Sequence, residues 1–176
     1  MSDTSVVNRA LIREARPEDD FAIGELLVEA YVTQYAKKLP EVVYTDERKR
    51  ALRDVASKRA VATVLVAEVD GAVAGTVALF PPGAPGSEAW TPNTADLRHL
   101  ATAVRYHGTG LARPLLDAVE ALARQWGVDA VALHVRRGVR GVAEMYQRRG
   151  YVRTPEGDLD LLPQVYLEAF VLRLKP

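Results

Sequence analysis

The order of its elements predicts an α/β (α+β) chain, a single domain built on one mixed sheet. Three observations carry this expectation. Segments of period-two alternation interleave with segments of helical spacing, in the order β-α-α-β-β-β-α-β-α-β-β. No linker, internal repeat or low-complexity tract divides them. The 176 residues, 48% hydrophobic and 26% charged, suffice for one buried core, so one domain over 1–176 is expected, with its core at about 10–174.

The elements follow in order. "ALIREA" (10–15) alternates as a short strand, and "RPEDDFAIGELLVEAYV" (16–32) reads as a helix. Pro17 suits a first helical position, Glu18, Asp19 and Asp20 favour the positive helix end, and Ala22, Ile23, Leu26, Leu27, Ala30 and Tyr31 form the apolar stripe. "TQYAKKLPEVVYT" (33–45) reads as irregular, and Thr45 as the N-cap of a helix through "DERKRALRDVASKRA". "ATVLVAEVDGAVAGTVALF" (62–80) is a hairpin turning at Asp70-Gly71, a pair suited to a type I′ turn because both central positions need positive φ. Residues 81–94 form a long loop, of the kind that often carries function. "ADLRHLAT" (95–102) reads as a strand and "LARPLLDAVEALARQW" (111–126) as a helix. Leu115, Leu116, Val119, Leu122, Ala123 and Trp126 mark its buried face, and Glu120 with Arg124 forms an i,i+4 pair. A strand at 129–135, a helix at 140–150 and strands in "YVRT" and "QVYLEAFVLRL" close the chain; the last is apolar on both faces and so central.

Charge and composition exclude several function classes. Lys plus Arg equals Asp plus Glu at 23 each, which speaks against broad binding to nucleic acid or to an anionic membrane. Without cysteine there is no disulfide, thiolate nucleophile or Cys-based zinc site, and the three histidines lack ligand spacing, so no metal is expected. No apolar run approaches the ~20 residues of a membrane span. "MSDTSVVNRALIREA" lacks the basic flank and apolar run of a signal peptide, so a cytoplasmic protein is expected.

The chemistry is signalled by "HGTGLARPLL" (107–116). A helix N-terminus leaves about four N–H donors unpaired, and with the helix dipole these can hold an anion if the backbone approaches closely. Gly108 and Gly110 permit that approach, and Pro114 falls where its missing N–H removes no intrahelical bond. On these residues alone an ordinary helix start and a phosphate site both stay open. A P-loop is excluded, because Gly110 is followed by Leu-Ala-Arg rather than Lys-Ser/Thr. A dinucleotide fingerprint would need its third glycine at Arg113.

The surrounding run, "DLRHLATAVRYHGTGLARPLLDAVEALARQWGV", resembles the acetyl-CoA-binding motif of the GCN5-related N-acetyltransferase (GNAT) family. Asp96, Leu97, Leu100, Ala101, Gly108, Gly110, Leu111 and Ala112 match in register. "AEMYQRRGY" resembles the second signature through Tyr146, Gly150 and Tyr151, and the element order fits over nearly the whole chain. The departures are His107 for an arginine or glutamine, Val104 for a proline, Val139 for an asparagine and Val142 for a small residue.

The resemblance implies a mixed, mostly antiparallel central sheet with a parallel V-shaped split between strands 95–102 and 129–135, the acyl-CoA N-acyltransferase fold. It implies acetyl-CoA as cosubstrate and a small-molecule or peptide amine as acceptor. Leu100 and Thr102 would offer backbone groups to the pantetheine, with the Leu100 N–H polarising the thioester carbonyl. His107, Gly108, Thr109, Gly110, Leu111 and Ala112 would hold the pyrophosphate. Tyr146 takes the position of the acid that protonates the departing thiolate, with a core aromatic as the plain alternative. Asp96, one methylene shorter than the family's glutamate, takes that of the base through a bridging water, with a surface carboxylate as the alternative. His99 and His134 carry imidazoles suited to a base, with an ordinary packed or surface histidine as the plainer reading of each, and strand alternation turns His99 away from Asp96. Tyr31, Tyr35, Tyr44 and Trp90 are expected as acceptor-pocket walls, with plain packing as the alternative. A second reading, of a different class, is a fold member that binds CoA as a sensor without turnover. The long C-terminal strand is a candidate for pairing two copies in a homodimer.

Overall fold

A computed structural model describes residues 4–39 and 44–176. In chain order the elements are α1 (Thr4–Arg9), β1 (Leu11–Glu14), α2 (Asp20–Val28), α3 (Gln34–Lys38), α4 (Asp46–Arg53), α5 (Val55–Val61), β2 (Thr63–Val69), β3 (Ala72–Phe80), β4 (Thr94–Thr102), α6 (Ala112–Gln125), β5 (Ala130–Arg136), α7 (Arg140–Arg148), β6 (Val152–Arg153), β7 (Leu159–Leu161) and β8 (Val165–Arg173). The chain is α/β with a mixed sheet. β1–β2, β5–β8, β6–β8 and β7–β8 pair antiparallel, and β4–β5 pairs parallel. The parallel ladder runs from Thr94–Ala130 to Asp96–Ala132 and stops there, although β4 continues to Thr102 and β5 to Arg136. Among the described residues no helix is long and apolar enough to cross a membrane.

The chain divides into two compact units, Met1–Ala78 with His99–Val119, and Leu79–Arg98 with Glu120–Pro176. In the first unit the strand order is β1-β2-β3-β4. Helix α2 packs on α4 and α5, and Ile23, Leu27, Leu52, Val55, Val66, Leu115 and Leu116 are buried. The hairpin turns through Asp70 (φ 50°) and Gly71 (φ 79°), both left-handed, as a type I′ turn requires. Thr45 caps α4, its Oγ1 accepting the Arg48 N–H at 3.1 Å. The helix expected to run on instead breaks at Asp54 (ψ 66°), whose carboxylate caps α5 by accepting the Ser57 N–H. A wide π-type turn, Glu29–Thr33, joins α2 to α3, so the start of the segment read as irregular is helical; its residues 40–43 lie outside the described residues. Ala22 is exposed and leaves the expected stripe. Asp19 stands at the helix start as expected, where it accepts the Arg16 N–H at 2.7 Å; it is also buried, with the Arg13 guanidinium on both its oxygens at 2.7 and 3.0 Å.

In the second unit the order is β4-β5-β8-β6, with β7 also on β8. β8 is interior, as its apolar faces imply: β5 occupies one edge, and β6 and β7 the other. Glu120 does not pair with Arg124. It is buried and takes two donors from Arg149, at 2.9 and 2.8 Å, and the Tyr151 hydroxyl at 3.2 Å. A buried carboxylate finds its cation where the tertiary fold brings one, and Arg124 is exposed. Short β7 was not expected from the sequence, nor was α1.

Candidate active site

In the first unit the chain leaves β4 and turns through 107–111 into α6. Gly108 (φ 78°) and Gly110 (φ 87°) are both left-handed, so the two glycines are required by backbone conformation. Both are exposed, while Leu111 next to them is buried and anchors the turn. Within the turn Thr109 donates its N–H at 3.2 Å and its hydroxyl at 2.6 Å to the Tyr106 carbonyl. The Arg113 N–H donates to the Gly110 carbonyl at 3.1 Å. Among the described residues, the N–H groups of Gly108, Gly110, Leu111 and Ala112 enter none of these backbone bonds. Pro114 is the third residue of α6 and removes no intrahelical donor. The arrangement can cradle an anion.

The end of β4 adjoins this turn. The Ala103 N–H donates to the Ala74 carbonyl of β3 at 2.8 Å, so by alternation the backbone groups of Leu100 and Thr102 point to the opposite edge of the strand. Gly75 lets the layers close up: a Cβ there would stand 2.9 Å from Leu115 Cδ1 and 3.2 Å from the Ala101 oxygen. The Leu100 carbonyl accepts the Tyr31 hydroxyl at 2.6 Å, and the Thr102 carbonyl accepts His107 Nε2 at 3.2 Å. Tyr31 stacks on Tyr35 at 5.8 Å and meets the His99 ring edge-on at 5.9 Å. Tyr31 lies in the π-type turn, a distortion frequent at functional sites. His99 has φ 57°, which breaks the strand's alternation there, so the period-two argument for its direction does not carry through. Tyr31, Tyr35, His99 and Leu100 thus come together.

The second unit holds Asp96, Trp90 and Tyr146. Asp96 is wholly buried on β4, which removes the surface-carboxylate reading. Its Oδ2 accepts the Glu88 N–H at 2.7 Å, and its Oδ1 has no partner among the described residues. Burial pushes the carboxyl up to about 7, against the opposing pull of the Glu88 N–H and the Arg98 charge. Trp90 comes from the loop before β4. Its ring meets His134 edge-on at 5.4 Å, and it covers Gly157 so closely that a Cβ there would lie 2.2 Å from Trp90 Cε2. His134 Nε2 donates to the Gly157 carbonyl at 2.8 Å. Tyr146 is buried on α7 and packs edge-on against Tyr151 at 5.3 Å.

Sequence reasoning missed Glu88. Nothing in "PPGAPGSEAWTPNT" marks one loop carboxylate as an anchor, and only the fold brings its N–H to Asp96.

Asp96 also has a thermodynamic consequence. Its folded pKa lies above the unfolded one, so between the ordinary aspartate range and about 7 the folded state binds more protons. Stability is therefore present at low pH and lost as pH rises through that window, by up to about 1.4 kcal/mol per pH unit. Asp96→Asn is expected to remove this slope. In thermal melts the stability of the variant relative to the native protein should rise from pH 5 to pH 8. A difference that does not change with pH would show the carboxyl to titrate normally.

Residues 22–151 match the family model described as the acetyltransferase (GNAT) family. Among solved structures, a GNAT-family acetyltransferase from Staphylococcus aureus Mu50 superposes with TM-score 0.72 at 15% identity, covering 94% of this chain and 99% of that one. The PaiA N-acetyltransferase of Thermoplasma acidophilum, in complex with coenzyme A, gives TM-score 0.66 at 18% identity, covering 91% and 97%. A GNAT-family acetyltransferase from Brucella melitensis, in complex with acetyl-CoA, gives 0.63 at 21%, covering 95% and 89%. A search of curated proteins gives no match.

Proposed function

The chain belongs to the GNAT family of acetyltransferases, and on that premise we propose that it carries the acetyl group of acetyl-CoA to a primary amine of a small molecule or peptide. The transfer is by direct attack on the thioester, with residues 1–176 acting as one domain. The observation that carries this reading is the turn at Gly108 and Gly110, left-handed at both, lying inside the family match at the start of α6.

The roles follow from what each group offers. The turn His107–Ala112 supplies N–H donors and the helix dipole to the pyrophosphate, and the half-buried edge at Leu100 and Thr102, whose carbonyls already accept Tyr31 and His107, supplies backbone N–H groups to the pantetheine. The amine nitrogen attacks the thioester carbon. The oxyanion that develops is met by the Leu100 N–H, a contribution worth about 3 kcal/mol in a dry site. The C–S bond then breaks, and the thiolate takes the Tyr146 phenolic proton. Asp96 takes the proton that the amine gives up, through a bridging water because the carboxylate is wholly buried. Tyr31 and Tyr35, stacked beside the Leu100 carbonyl, wall the acceptor.

Gly110→Val tests the cofactor assignment. A β-branched residue at φ 87° is strained by about 1–3 kcal/mol, and relief of that strain moves the donors out of place. Calorimetry is expected to show acetyl-CoA binding weakened at least about tenfold, with the fold intact by circular dichroism. Unchanged affinity would place the pyrophosphate elsewhere.

A second reading, a CoA sensor without turnover, draws on His107 and Val139, which stand where the family carries other residues. Acetyl-CoA binding without thiol release on any amine would favour it.

A further inference from the structure

The two oxygens of Asp96 are in different surroundings: Oδ2 holds the Glu88 N–H at 2.7 Å, and Oδ1 is buried without a partner among the described residues. The residue that provides this N–H is fixed at one oxygen of its own side chain, where Arg98 Nη2 lies 3.0 Å from Oε1; His134 Nδ1 stands 3.6 Å from Oε2, beyond hydrogen-bond reach. Both neighbours are tied down in turn. Arg98 Nη1 donates to the Gly86 carbonyl at 2.7 Å, closing the loop onto β4. His134 Nε2 donates to the Gly157 carbonyl, and the Trp90 ring packs on the imidazole. The strand register supports the grouping. Asp96 pairs with Ala132, so His134, two residues further along β5, shares its face, as does Arg98 two residues along β4. The charged and titratable groups around Asp96 are thus Glu88 from the loop, Arg98 on β4 and, through Glu88, His134 on β5.

Resting on the reading of Asp96 as the base, we propose that Glu88 and Arg98 are positioning residues that hold the loop N–H on Oδ2 and leave Oδ1 as the atom that takes the proton. An N–H bond of the acceptor ammonium breaks, the nitrogen keeps the electron pair, and an Oδ1–H bond forms through the bridging water. Protonation at Oδ2 instead would forfeit the Glu88 hydrogen bond, which is why the clamp selects the oxygen.

The test is a carbon-13 carboxyl NMR titration of Asp96, its resonance assigned by its absence in Asp96→Asn. Arg98→Gln removes a cation and an anchor of Glu88. It is expected to raise the Asp96 midpoint by about half a pH unit or more, and Arg98→Lys to bring it back toward the native value. The ascending limb of the kcat profile should move with the NMR midpoint. A native or lowered midpoint in folded Arg98→Gln would overturn the clamp. The titration needs no turnover, so it stays decisive if Asp96→Asn proves active and the base reading fails.

Discussion

Tyr146→Phe is expected to lower amine-dependent thiol release by about 10²–10⁴-fold, the usual worth of a general acid, while leaving acetyl-CoA affinity nearly native. The phenol is buried and sits edge-on to Tyr151, so phenylalanine keeps the ring, the packing and that aromatic contact. The hydroxyl, and the proton it would give, is lost. A thiolate that must leave unprotonated leaves slowly, and the loss should shrink for acyl donors whose thiol is more acidic. The measurement is steady-state thiol release by Tyr146→Phe across pH 6–9 with purified protein. Unchanged turnover throughout that range would make Tyr146 a packing residue.

The largest effect on stability is expected at Glu120. Its carboxylate accepts from Nε and Nη2 of Arg149 and from the Tyr151 hydroxyl, and the side chains of Glu120 and Arg149 are only 10% and 19% exposed. Glu120→Ala takes the carboxylate from a poorly solvated cation and a buried hydroxyl at once. Breaking one side of such a pair costs about 3–5 kcal/mol, which for a chain of this length lowers Tm by roughly ten degrees. Glu120→Gln, which still accepts hydrogen bonds, should lose less. Burial, then the charge of Glu120, holds the Tyr151 phenol well above its ordinary pKa, so removing that charge should also lower it. A calorimetric Tm within about two degrees of native would mean that Arg149 finds water instead.

Much of the architecture was legible because it rests on local chemistry. Asp70-Gly71 dictates its turn, Thr45 its cap, and Gly108 and Gly110 their left-handed backbone, and each is found as expected. The parts that were not legible depend on residues far apart in sequence. Glu120 has a well-spaced partner in Arg124, yet takes Arg149, because burial makes the nearer, exposed cation the poorer one. Asp54 ends one helix and caps the next, which helical periodicity alone does not register. At the candidate site, motif spacing pointed to Asp96 but could not show it wholly buried, with the Glu88 N–H on Oδ2 and the Trp90 ring edge-on to His134. Period-two reasoning failed at His99 for a definite reason, a left-handed residue within a strand.

The most direct test of the central claim titrates the native protein with acetyl-CoA by calorimetry and then follows thiol release against a panel of primary amines. One-site binding, weakened in Gly110→Val and followed by amine-dependent release of free CoA thiol, is the expected result. Absence of acetyl-CoA binding by the folded protein would contradict it.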